Sequence, residues 1–122
     1  MVELLVDTEA GRRVGDQVWA VASRHAPHLL DVEVVQVVRR FVQSKQLTRV
    51  RGELAIEDLA ALPLPRHAHV GLLARVFELR DNLTAYDAAH IALAESLGVP
   101  LLTCEEALAG VPGCRADVHV VR

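Results

Sequence analysis

Short apolar runs alternate with longer stretches of helical periodicity, and this alternation constrains the fold more than any other feature of the chain. A short apolar run between turn residues reads as a buried strand, and a long amphipathic stretch reads as a helix lying on it. Repeated alternation implies an α/β domain, a largely parallel sheet flanked by helices. Residues 28–43 place Leu30, Val34, Val37, Val38 and Phe41 at helical spacing, which gives one buried stripe. Residues 47–62 read as a second helix with Thr48 as its cap, closed by Leu62-Pro63-Leu64-Pro65 and followed by a short extended piece. Residues 70–80 and 84–97 read as further helices, the latter stopping at Gly98. Residues 24–27 read as a strand edge, 99–103 as a short buried strand, 105–109 as a helical turn and 117–121 as a last strand.

The 122 residues suffice for one domain, taken as residues 1–122. Hydrophobic residues make up 52% of the chain, which excludes a disordered protein. Aromatic residues make up 3%, too few for the stacking platforms of single-strand binders. The net charge of −3, from 13 basic and 16 acidic residues, is wrong for a module that binds by neutralising phosphates. A chain of this charge that handles RNA needs another cation, and a divalent metal ion is the natural one. Cys104 and Cys114 lack the spacing of a zinc ribbon or a thioredoxin motif, and two lone thiols suit a reducing compartment. With neither a secretory signal nor a membrane-spanning run, the expected location is cytoplasmic.

Three acids stand where chemistry is expected. Glu33 lies at the edge of the apolar stripe, where a carboxylate is costly to desolvate unless it is paired or holds a metal. The plainer alternative is a rim charge paired with Arg40 or another nearby base. Asp87 falls on the buried side of its helix, yet Thr84-x-x-Asp87 also has capping-box spacing. Glu105 follows the strand ending at Thr103, and acids at the C-terminal ends of parallel strands converge in the crevice of the sheet. Its alternative is stabilisation of a helix N-terminus, a role that suits Glu106 better. His25-x-x-His28 and His67-x-His69 have no ligand framework around them. No phosphate-binding glycine loop, dinucleotide fingerprint or serine-nucleophile elbow is present. Acids without a nucleophile point to metal-assisted hydrolysis with Mg²⁺ or Mn²⁺.

The segment at residues 25–34 (HAPHLLDVEV) resembles the end of the second strand and the start of the next helix in VapC-type toxins of the PIN-domain ribonuclease superfamily. Residues 80–95 (RDNLTAYDAAHIALAE) are closer still to that family's "LTxYDAxYxALAE" pattern, with His90 where a second tyrosine is common. Residues 98–103 (GVPLLT) resemble its "G-x-P-L-L-T" strand. Together the three motifs span most of the chain in the right order; the middle one is specific and the outer two moderately so.

The resemblance implies a PIN fold and a metal-dependent endoribonuclease acting on RNA. It also implies a cognate VapB-type antitoxin as inhibitor, and a homodimer. Glu33 takes the place of the helix glutamate and Asp87 that of the aspartate in the tyrosine-aspartate motif. Glu105 stands where the family usually has aspartate. On this basis Glu33, Asp87 and Glu105 are the expected catalytic and metal-binding residues. The family's first acid lies in a "V-x-D-x-S" strand end, whereas residues 2–7 (VELLVD) resemble a later run within the first helix. The catalytic role is therefore not carried onto Glu3 or Asp7, and the first central strand is expected to be missing from this chain. An alternative function follows: a catalytically impaired PIN domain that only binds an antitoxin or a twin subunit. A phospho-signalling receiver would need an N-terminal acid pair and a phosphoacceptor at a central strand end, and neither is found.

Overall fold

The computed structural model describes residues 25–121. Strand β1 (Ala26–Pro27) leads through His28 into helix α1 (Leu29–Gln43). Helix α2 (Arg49–Ala61) follows, then strand β2 (Arg66–His67). A 3₁₀ turn (Val70–Leu72) runs into the short helix α3 (Leu73–Glu78). Helix α4 (Ala85–Leu97), strand β3 (Leu101–Thr103), a second 3₁₀ turn (Glu106–Leu108) and strand β4 (Val118–Val120) complete the order. The expected α/β class is what the chain adopts. Residues 70–80 depart from the expected single helix. They open as a 3₁₀ turn with a glycine at its centre, Gly71, and the α-helical part ends at Glu78.

Both strand pairs are parallel. β1 pairs with β2, Ala26 opposite Arg66, and β3 pairs with β4, Leu101 opposite Val118. The described residues thus form two separate two-stranded ribbons. Helix α4 packs on both, touching β1 and β3. Its sequence explains this central place. Ala88, Ala89, Ile91, Ala92, Leu93 and Ala94 are all buried, so the helix is covered on nearly every side, and its alanines allow close approach. The expected absence of a first central strand concerns residues outside those described.

Two apolar clusters hold the domain. In one, Leu30, Val34 and Val38 of α1 meet Ala55 and Leu59 of α2, with Ala26 and Leu64 beneath. The stripe read from residues 28–43 is therefore the packed face. Gly52 sits at the crossing of α1 and α2, where an added Cβ would lie 2.8 Å from a methyl of Val42. In the other cluster, Leu79, Ala88, Ile91 and Leu108 are joined by Leu101 and Val118 of the second ribbon.

Helix ends follow the expected chemistry. Thr48 accepts the N–H of Arg51, and Gly98 closes α4 in the left-handed region at φ 65°. Two arginines make ties across the chain that no local pattern announces. Arg66 donates to the carbonyls of Leu59, Leu62 and Leu64 at the end of α2, and to Asp31 on the first turn of α1. Arg75 grips Glu95 with two parallel bonds, at 2.9 and 3.0 Å, and reaches the Gly113 carbonyl at 2.6 Å. Burial would raise the Glu95 carboxyl, but the bonds from Arg75 and from the Arg115 N–H outweigh it and hold it below the usual range. No helix among the described residues is long and apolar enough to cross a membrane.

Candidate active site

Side chains of α1 from Leu29 to Arg40 and of the N-terminal turns of α4 line one groove, together with β3 and the 3₁₀ turn after it. The groove has a volume of about 660 Å³, and Glu33, Asp87 and Glu105 all line it. The three acids chosen from the sequence, from three separate elements, thus share one concavity. Leu29, Val37 and Leu101 make part of the lining apolar.

Each acid has a definite local setting. The hydroxyl of Thr84 accepts the backbone N–H of Asp87 at 3.2 Å. The cap predicted at Thr84 exists, but it uses the main chain of Asp87. No hydrogen bond or ion pair engages the Asp87 carboxylate among the described residues. The N-terminal end of the α4 dipole adds positive potential beside it. Glu105 is arranged alike: its N–H donates to the Thr103 hydroxyl at 3.0 Å, and its exposed carboxylate has no partner among the described residues.

Glu33 differs. Its Oε1 lies 2.5 Å from Nε2 of His90, a partner 57 residues away in sequence. The side chains are 23% and 13% exposed, so the contact is made largely out of water. Of the alternative weighed from the sequence, a charge paired with Arg40 or another nearby base, the fold makes the second form: the base is His90, and Arg40 is exposed on the rim of the groove. His90 is the functional-site residue that the sequence reading did not assign. The available signal was Asp87-x-x-His90, an i,i+3 spacing that puts both side chains on one face of a helix otherwise rich in alanine.

The remaining histidines come together elsewhere. His25 Nδ1 lies 2.8 Å from His67 Nε2, and the His28 and His69 rings meet edge-to-face at 6.5 Å. Among the described residues, no group of three or more histidine, cysteine, aspartate or glutamate side chains is arranged to hold one ion. A hard divalent ion such as Mg²⁺ does not require such a group. It is commonly held by one or two carboxylates, with water filling the octahedron. The oxygen donors of Glu33 and Asp87 fit that chemistry, and no zinc cage of the cysteine–histidine kind is built among the described residues.

The PIN-domain family model matches residues 1–113, nearly the whole chain. The chain belongs to the PIN-domain family. Its relatives are of the VapC type. Ribonuclease VapC9 of Mycobacterium tuberculosis is 36% identical over 105 residues, covering 86% of this chain and 83% of the relative. Ribonuclease VapC12 of the same organism is 35% identical over 120 residues, covering 98% and 92%. Ribonuclease VapC1, also from M. tuberculosis, is 40% identical over 99 residues, covering 80% and 74%. In this PIN domain the groove lies between α1 and α4, and the specific motif at residues 80–95 supplies its α4 wall.

Proposed function

We propose that this PIN domain is a divalent-metal-dependent endoribonuclease, the toxin half of a toxin–antitoxin pair, cleaving phosphodiester bonds in RNA. The observation that carries the reading is the meeting of Glu33 and Asp87 in one groove, with the Asp87 carboxylate left outside its own helix cap. A carboxylate oxygen left unused by its own helix cap and facing a groove is available to a hard divalent cation. The names of the relatives, ribonucleases of the VapC type, point the same way.

In this reading Glu33 and Asp87 would hold Mg²⁺ or Mn²⁺, and Glu105, which lines the same groove, would act on the ion only through water. The bound ion supplies a water activated for attack and positive charge against the phosphate oxygens. The protein's own residues do the placing. Thr84 fixes the first turn of α4 and with it the height of Asp87. Arg40 on the rim offers a cation to an approaching phosphate. A domain of net charge −3 thereby admits a polyanion at one place.

The proposed partners are an RNA substrate, a VapB-type antitoxin and a second copy of the chain. Val70, Leu73 and Phe77 are exposed at helical spacing, an apolar strip of the kind a partner protein covers. The test is cleavage of a labelled single-stranded oligoribonucleotide with Mg²⁺, repeated with chelator and with Asp87→Asn. The reading expects internal cleavage that both treatments remove. Cleavage that survives both would refute it.

A further inference from the structure

We infer that His90 is a positioning residue for Glu33, fixing one carboxylate oxygen so that the other alone serves the metal ion. The inference rests on the reading of Glu33 as an ion ligand and goes beyond it, because the pattern that the motif resembles has tyrosine at this position and no role follows from it for a histidine. The geometry is specific. His90 Nε2 lies 2.5 Å from Glu33 Oε1. A carboxylate oxygen only accepts, so Nε2 must carry the proton and donate it. Oε2 of Glu33 has no protein partner among the described residues.

Such a contact has a consequence for ion binding. A free glutamate side chain loses considerable rotamer entropy when it is fixed on a metal. One already held by a half-buried imidazole has lost most of that freedom. Partners that orient a ligand in this way are worth about 10- to 100-fold in metal affinity. The helical frame makes the arrangement stiff. His90 stands one turn after Asp87 on the same face of α4, so a single element sets Asp87 directly and Glu33 through the imidazole. With Oε1 held by His90, Glu33 would offer an ion the single oxygen Oε2, which suits a small hard cation that keeps most of its water.

The experiment measures Mn²⁺ affinity of the full chain by electron paramagnetic resonance, with no RNA present. His90→Phe and His90→Leu remove the donor, while His90→Gln keeps an N–H at nearly the same reach. The expected result is weakening of about 10- to 100-fold in the donor-free variants and affinity close to wild type in His90→Gln. Donor-free variants that bind Mn²⁺ as tightly as the wild type would overturn the proposal alone. A wild-type chain that binds no Mn²⁺ would overturn the reading of Glu33 beneath it. A further measurement needs no variant. Ring ¹⁵N shifts of the metal-free wild type should show the His90 proton on Nε2, and a proton on Nδ1 alone would contradict the inference whatever the variants do.

Discussion

The hydroxyl of Thr84 accepts the N–H of Asp87 at 3.2 Å, so helix α4 is capped by the main chain of Asp87 and not by its carboxylate. Stability and chemistry therefore separate within three residues. Thr84→Ala should cost about 1 kcal/mol of unfolding free energy, the usual worth of an N-cap, read from urea denaturation. Asp87→Asn keeps the N–H and loses the carboxylate's interaction with the helix dipole, so it should cost about 0.5 kcal/mol while abolishing metal-dependent cleavage. If Asp87→Asn destabilises the fold by clearly more than Thr84→Ala does, its carboxylate has a structural role beyond the helix dipole.

The Arg75–Glu95 clasp predicts a pH dependence. The Glu95 carboxyl is held below its ordinary value near 4.5, against the opposing effect of burial, by its bonds to Arg75 and to the Arg115 N–H. A depressed carboxyl contributes stability that is fully present above the unfolded value and is lost as pH falls through the folded one. Glu95 is 10% exposed and Arg75 20%, and Arg75 also holds Glu78 and the Gly113 carbonyl, so its charge is not left unpaired when Glu95 is neutralised. Glu95→Gln should lose about 1–2 kcal/mol at pH 7, the worth of charged hydrogen bonds, and its deficit against the wild type should shrink as pH falls below 4.5. Urea unfolding at the two pH values gives the comparison; a deficit that does not change with pH would contradict it.

Much of this architecture was legible because it is local. The stripe from Leu30 to Val38, the Thr48 cap and the Gly98 stop each lie within one element, where periodicity and cap chemistry act directly. That Glu33, Asp87 and Glu105 would line one groove was legible through the motifs around them. What was not legible depends on distance along the chain. His90 and Glu33 are 57 residues apart, Arg66 and Asp31 are 35 apart, and Arg75 and Glu95 are 20 apart. Strands of two or three residues also carry too little pattern to announce that they pair as two ribbons. The length of the helix at residues 70–80 was overstated, because Leu72, Leu73, Val76 and Leu79 mimic helical periodicity across a 3₁₀ start.

Gly52 tests the packing of α1 on α2. Glycine to alanine in a helix interior normally gains up to about 1 kcal/mol. Here the added methyl would lie 2.8 Å from Val42 Cγ2 and 3.3 Å from Val38 Cγ1, both on side chains stiff at χ1. Overpacking of this kind costs about 1–3 kcal/mol, which exceeds the propensity gain. Gly52→Ala should therefore lower the melting temperature. An unchanged or raised melting temperature would mean that the two helices separate easily.

The central claim is that Glu33 and Asp87 share one divalent ion, and paramagnetic broadening tests it most directly. Mn²⁺ at a small fraction of the protein concentration is added to ¹⁵N-labelled chain, and amide signals are followed. The account predicts selective loss of signals near Glu33 and along the first turns of α4, abolished by Asp87→Asn. Broadening centred on His25, His28, His67 and His69, or broadening at the groove that persists in Asp87→Asn, would contradict it.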